Sequence, residues 1–475
     1  MSTETEVRVV SSDGTPKALP TSAVDGLRKQ MTGAVVLPGE QGYDQLREVW
    51  NGQIDRRPGL ITRVADADDV VAAVNFARDN ELLVSVRGGG HNMPGLAVSD
   101  GGLMLDLHAL RNTRVDPVAR RAYAEPGACW VDFDYECQSF GLATPGGAVS
   151  HTGIAGLTLG GGVGWLSGKY GLTCDNVVSF DVVTPDGTLR RANAQENPDL
   201  YWGLRGGGGN FGIVTKFEYQ LHPVGTMLGG MILYPFDSAT AFMRGYAAWV
   251  PSCPDELTTF AGIFTLPDAT VVAGAILAYN GDNAQGQQAI EPFSKFATPM
   301  ADLTGPIRYC KLQQLIDEQT APHRRYYVKS NLMREISDEA IEIVVEAYKK
   351  VPSALSMMAF QQFGNGIGRV PKDATAYGHR GEKTEQMTFS AWEDPAKDEE
   401  NKQWAREVSD LVQPYAHGHY VNQVGLESEE GASRIQAAYG DNWDRLVALK
   451  NKYDPANLLR HNQNIRPSEP ATVGS

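Results

Sequence analysis

Long apolar runs are missing from this chain of 475 residues. No segment approaches the roughly 18 uncharged apolar residues that a membrane-spanning helix needs, and Met1 to Pro20 hold nothing like the apolar stretch of a signal sequence. No membrane association is expected, and a soluble cytoplasmic protein is. Cysteine is scarce as well: the five residues at 129, 137, 174, 253 and 310 are odd in number, widely spaced and without a C-x-x-C pair. That excludes a disulfide framework and offers no metal site, so reduced, mostly buried thiols are expected. Basic charge is the third deficit, with 42 Lys and Arg against 57 Asp and Glu and a net charge of −15. Such a surface repels phosphate backbones, which removes nucleic acid from the candidate partners.

What is present is apolar material, 42% of residues, in a length that suits two or three domains of roughly 150 residues each. Glycine is concentrated in three blocks. The first closes the strand-like run Val84-Ser-Val-Arg87 with Gly88-Gly89-Gly90-His91-Asn92-Met-Pro-Gly95. Glycines let backbone amides turn inward and approach a ligand closely, so this run is a candidate nest for pyrophosphate. Leu103 to Leu107 then reads as a second strand with no helical pattern between, whereas a Rossmann site needs a helix directly after its loop. His91 stands where the loop would meet its ligand. On the residues alone it could equally be a polar surface histidine.

The second block runs Gly153-Ile-Ala-Gly156-Leu157-Thr-Leu-Gly160-Gly161-Gly-Val163-Gly164. Each glycine costs a helix about 1 kcal/mol relative to alanine, so the block is expected to be non-helical, with its backbone packed against a flat ring. The interleaved Ile154, Leu157, Leu159 and Val163 argue against a flexible linker. The third block contains a literal G-x-G-x-x-G at Gly207, Gly209 and Gly212. Ile213 to Leu221 alternates like a strand, however, so no helix dipole can be aimed at a phosphate there.

Residues 1 to about 30 are polar and aperiodic and read as a loose arm, with organised structure from near Gly33. Asp66 to Asp69 can cap a helix whose apolar face holds Val70, Val74 and Ala77. The alternation of short strands and helices through residue 220 implies a mixed α+β domain. Past His222-Pro223 the glycine blocks stop and aromatic, amphipathic segments begin. Strands are expected at 257–265, 269–278, 356–363 and 387–392, with a helix at 335–351, giving a sheet with helices on one side. A final helix, 442–453, is stopped by Asp454-Pro455.

Arg87-Gly-Gly-Gly-His-Asn92 resembles the phosphate loop of flavin oxidoreductases of the vanillyl-alcohol-oxidase superfamily, in particular berberine-bridge-enzyme-like and 6-hydroxynicotine-oxidase-like members. The second glycine block, Tyr420-Val-Asn422 and Arg460-His-Asn-Gln-Asn-Ile465 extend the likeness over nearly the whole chain from about residue 30. The resemblance implies a discontinuous two-domain α+β fold with a PCMH-type FAD domain. Residues 30–222 and 420–475 would bind FAD, and 223–419 would bind substrate. It implies a covalent bond from His91 to the 8α carbon of FAD, with Arg87, Gly88, Gly89, Gly90, Asn92 and Gly95 in the phosphate loop. Gly153, Gly156, Leu157, Gly160, Gly161 and Val163 would lie against the flavin ring and ribityl chain, Gly212 and Ile213 on the adenosine half, and Asn462 and Asn464 near the isoalloxazine.

Bicovalent relatives carry a second attachment cysteine where this chain has Val149, so the linkage should be single. Thr152 occupies the position of an oxygen-gating aliphatic residue in plant relatives, which implies slow use of O₂. Strand ends of the substrate domain would supply Gln361, Tyr377 and His379, although ordinary sheet packing also accounts for them. Tyr420 would be the catalytic base. On a strand, Asn422 would share its face. A neighbouring Lys or Arg would have to stabilise the phenolate, because an unperturbed tyrosine has a pKa of about 10. The implied reaction is hydride transfer from a small molecule to FAD, with O₂ or another acceptor taking the electrons, in a monomer or homodimer. The readings that stand together are an oxidase of an alcohol, sugar or natural-product hydroxyl, an amine oxidase of the hydroxynicotine type, and a catalytically silent flavoprotein.

Overall fold

Three of five sheets organise the chain in a computed structural model that describes residues 6–468. In the first, Ala34–Val36, Leu60–Arg63, Leu103–Asp106 and Val84–Arg87 lie side by side in that order, the last three parallel. Parallel strands need a crossover, and the helix Ala67–Asp79 provides one. Its N-cap Asp66 accepts from the Asp69 amide at 3.0 Å, and Val70, Ala73, Val74 and Ala77 form its buried face. Asp69 in turn accepts from the Thr32, Gly33 and Ala65 amides, tying the helix start to the first strand. The connection from Val84–Arg87 to Leu103–Asp106 is irregular throughout, so the first glycine block lies along the C-terminal ends of two adjacent parallel strands.

The second sheet is antiparallel, ordered Leu189–Asn193, Val177–Val183, Ile213–Gln220, Arg121–Ala124, Thr113–Asp116. Trp130, Phe133, Phe180, Phe217 and Tyr219 fill the core beside it. The third has eight strands, all drawn from between Thr226 and Trp392. Side chains alternate across a strand. One face of the long strands Leu257–Thr265, Met357–Gln362 and Thr384–Trp392 packs under the helices Ala239–Trp249, Asp338–Tyr348 and Asp398–Val412. The other face presents Phe260, Met357, Gln361, Met387 and Phe389 to a cavity. The α+β reading and the one-sided cover of helices both agree with this architecture.

Two expectations need correction. Residues 6–30 are not a loose arm: Glu6–Val10 and Pro16–Pro20 pair as a hairpin and Thr21–Gln30 is a helix. Val9, Leu19, Val24 and Leu27 are buried against the first sheet. The pattern is thin because each short strand offers few inward residues among polar ones. Residues 1–5 of that stretch lie outside the described residues. The second glycine block is also not free of helix, since Ile154–Leu159 forms one between Gly153 and Gly160. Only Gly156 lies inside it, so the helix pays the glycine penalty once, and the rest of the block stays irregular.

The helix Trp443–Tyr453 ends in a buried ion pair, Lys450 Nζ to Asp454 Oδ2 at 2.7 Å. Lys450 also donates to the Asn210 and Leu459 carbonyls, and Asp454 accepts from the Leu458 and Leu459 amides. These bonds turn the chain back so that Asn462 reaches the cavity.

Candidate active site

One cavity of about 350 Å³ gathers residues from all three glycine blocks, the large sheet and the C-terminal return. The first two blocks cross in backbone contact. A Cβ on Gly89 would meet Gly153 Cα at 2.5 Å, and one on Gly153 would meet Gly89 Cα at 2.7 Å. Gly90, at φ +69°, makes the turn that carries His91 inward. Among the described residues the amides of Gly89, Gly90, His91 and Asn92 donate to no protein carbonyl. Such a row of uncommitted N–H groups is what an anionic pyrophosphate requires. Asn462 Oδ1 and Gln423 Oε1, both on residues that line the cavity, are buried without a partner. Amide nest, apolar walls and unpaired polar edges together fit FAD.

His91 is buried. Its ring stacks on Trp50 at 4.3 Å, Trp50 stacks on Tyr326 at 3.8 Å, and His91 Nε2 lies 2.9 Å from His151 Nδ1. Desolvation first, then His151, lowers its pKa to about 3, so the imidazole is neutral at any ordinary pH. Neutrality leaves one ring nitrogen with a free lone pair.

Tyr420 is on no strand. It precedes the short 3₁₀ turn Val421–Gln423, and this turn rather than strand alternation brings the two predicted catalytic groups together. Asn422 Nδ2 donates to the Tyr420 phenol oxygen at 2.8 Å, and the Gly162 amide donates to the same oxygen at 2.9 Å. Burial, above all, and the nearby Glu385 push the phenol well above the usual tyrosine value, while the two hydrogen bonds oppose them. The activating cation expected beside Tyr420 is not among these influences; the nearby Arg380 is bidentate to Asp175 at 2.7 and 2.8 Å and sits over the Tyr377 ring.

The cavity lining includes Gly88, Gly89, Gly90, His91, Asn92, Val149, Thr152, Gly153, Gly156, Leu157, Gly160 and Val163. It also includes Gly212, Ile213, Gln361, Tyr420, Asn422 and Asn462. Six other expected residues stand back from it. Arg87 donates to the Leu46 carbonyl at 2.7 Å and faces buried Asp106 at 3.7 Å. Gly95 makes a turn at φ +74° against Ile54, and Gly161, at φ +122°, packs on Tyr377. Asn464 is buried with its Oδ1 unpaired. Tyr377 and His379 lie in the loop before Thr384–Trp392, not at strand ends. Tyr377 meets Tyr420 edge-on at 6.0 Å, but His379 turns to the Ala437 carbonyl at 2.9 Å, away from the cavity.

Four residues escape a reading by motif: Trp50, His151, Thr320 and Glu385. Only His151 carries a local signal, as a histidine two places before Gly153. Glu385 shares a strand face with Met387 and Phe389 and pairs in register with Gln361. Its carboxyl is fully buried, neither oxygen makes a well-formed hydrogen bond, and desolvation raises its pKa to about 8. Cys174 is buried in the apolar cluster with Tyr420, and desolvation holds its thiol protonated.

The family model described as FAD binding domain matches residues 58–193, and the one described as berberine and berberine like matches residues 419–466. An FAD-linked oxidoreductase of Dictyostelium discoideum is 33% identical over 94% of this chain and 97% of its own. The (R)-6-hydroxynicotine oxidase of Paenarthrobacter nicotinovorans is 30% identical over 92% of this chain and 97% of its own. The crystal structure of 6-hydroxy-D-nicotine oxidase from Arthrobacter nicotinovorans superposes with a TM-score of 0.82 at 27% identity, covering 92% of this chain and 98% of the other.

Proposed function

This chain belongs to the berberine-bridge-like family of FAD-linked oxidoreductases, and from that premise we propose that it oxidises the C–H bond beside a hydroxyl on an apolar, ring-bearing small molecule. The observation that carries the proposal is the pairing of an apolar roof with Tyr420. Phe260, Met357, Met387 and Phe389 offer a sugar few hydrogen-bond partners, but they suit an aromatic or terpenoid ring. In this reading residues 223–419 bind substrate, while 30–222 with 420–475 hold FAD through the loop amides, Asn462 and a covalent bond from His91. Bound FAD supplies the hydride acceptor and passes electrons to O₂.

The protein's own share of the work is orientation and proton transfer. Gln361 and the phenol of Tyr420 fix the substrate hydroxyl. Tyr420 takes the hydroxyl proton only as the phenolate, the form that burial opposes and that the donors from Asn422 and Gly162 favour. Glu385, whose pKa burial raises to about 8, acts on the Tyr420 phenol only through its charge. A second reading, oxidation beside an amine, is favoured by the 30% identity to (R)-6-hydroxynicotine oxidase.

Anaerobic mixing with panels of aryl alcohols, oligosaccharides and aryl-substituted amines separates these readings through bleaching of the flavin's visible absorbance. Aryl alcohols should reduce the flavin fastest. Reduction by sugars or amines alone would overturn the alcohol reading, and reduction by none would point to a silent flavoprotein.

A further inference from the structure

Resting on the reading that His91 is the point of flavin attachment, we propose that His151 is the positioning residue that turns His91 into a nucleophile. It holds His91 in the tautomer with a bare Nδ1 and receives the Nε2 proton as the bond to flavin forms. The hydrogen-bond chain sets the tautomers one after another. Thr320 has a single hydroxyl proton, and it is directed to the Ile316 carbonyl at 2.9 Å. Toward His151 Nε2, at 3.4 Å, Thr320 therefore offers a lone pair, which makes that nitrogen the N–H of His151. His151 Nδ1 is then an acceptor, and His91 Nε2–H donates to it across 2.9 Å. The remaining lone pair of His91 is on Nδ1.

The surroundings hold this arrangement. Trp50 stacks on His91 with its plane 20° off, and its own N–H is fixed to the Thr320 carbonyl at 2.8 Å, so the His91 ring has little freedom to flip. Burial lowers the proton affinity of His151, and Asp317, anchored by the Ser150 amide at 3.0 Å and hydroxyl at 2.6 Å, opposes that by favouring positive charge on it. Thr320 and Asp317 come from the segment that also feeds the large sheet, so the base is completed only when that segment is docked on the glycine loops.

The step balances. His91 Nδ1 forms a bond to the 8α carbon and one 8α C–H bond breaks; its electron pair enters the ring system, which is reduced by two electrons. Two protons accompany that reduction, one from the 8α carbon and one from His91 Nε2 by way of His151. No atom is lost. Dioxygen then takes the two electrons and two protons and leaves as hydrogen peroxide, restoring oxidised flavin.

The test adds FAD to flavin-free full-length protein and follows covalent incorporation by intact mass and by fluorescence of the denatured protein on a gel. Native flavin absorbance scores non-covalent binding in parallel. His151→Leu should bind FAD yet incorporate it ~10²-fold or more slowly, as expected when proton transfer is removed. His151→Asn keeps an acceptor at the place of Nδ1 but cannot take up the proton. It should recover part of the rate and lose the wild-type pH profile of incorporation. Either variant incorporating within a few-fold of wild type would overturn the inference, and if the leucine variant does not bind FAD the asparagine variant decides. Wild type without covalent flavin, or with flavin on another residue, would instead end the attachment reading beneath it.

Discussion

Asn422 bridges Tyr420 and the second glycine block, donating to the Tyr420 phenol oxygen at 2.8 Å and to the Leu157 carbonyl at 3.1 Å. The Gly160 backbone lies so close to this side chain that a Cβ there would collide with it. The Tyr420–Asn422 pair is thus held by the backbone of the block that lines the cavity.

Tyr420→Phe should slow substrate-driven flavin reduction by ~10²–10⁴-fold, the usual worth of a general base. The bound flavin and its spectrum should stay nearly unchanged. Stopped-flow reduction measures this, and a rate within a few-fold of wild type would return Tyr420 to a packing role.

Glu385 makes stability depend on pH in a definite direction. Its folded pKa of about 8 lies above the unfolded value of about 4.3, so between these values the folded protein holds a proton that the unfolded chain has released. Its contribution therefore falls as pH rises through that window, by at most about 1.4 kcal/mol per unit. Glu385→Gln should lack this slope and gain stability relative to wild type from pH 5 to pH 8 in urea unfolding. It should also flatten the pH dependence of flavin reduction near 8. A constant gap between the two proteins would show that the carboxyl is already ionised in the fold.

His91→Ala should bind FAD but release it on denaturation, whereas wild type should stay yellow and fluorescent on a gel. Peptide mapping should place flavin on His91 alone. Cys174 is buried with its thiol held protonated, and Val149 lines the cavity where a second attachment would have to be. Flavin on Cys174 or Cys129 would contradict a single link.

Thr152 is on the cavity wall next to Gly153, at the position where the resemblance implies an aliphatic gate in plant relatives. Reoxidation of reduced flavin by O₂ should be slow, and Thr152→Val should speed it. Stopped-flow mixing with oxygenated buffer decides this, and rapid reoxidation of wild type would remove any gating role.

Lys450→Met should destabilise the protein by ~3–5 kcal/mol, because it leaves Asp454 charged and buried with no cation. It should also weaken FAD binding, since the same pair turns Asn462 into the cavity. Urea midpoints and flavin titration report the two effects separately.

The parts legible in the sequence were those whose physics is local. The glycine loop after Val84–Arg87, the strand at Ile213–Gln220 that rules out a Rossmann helix, and the capped helix at Ala67–Asp79 each follow from backbone preference and side-chain period. The hairpin at residues 6–20 was hidden because its few inward residues, such as Val9 and Leu19, acquire meaning only against the sheet that buries them. Tyr377 and His379 were misplaced because a loop's course is set by what it packs on, here Tyr420 and the helix Ala432–Tyr439.

By itself the sequence determined an acidic α+β flavoprotein with His91 at the end of a glycine loop and Tyr420 two residues from Asn422. The tertiary structure alone decided which groups act on those two. His151 reaches His91 from 60 residues further along the chain and Thr320 reaches His151 from 169 residues beyond it, and Glu385 comes near Tyr420 from the strand Thr384–Trp392. Proton affinity and tautomer depend on distance and burial in space, and neither quantity is written in the order of the residues.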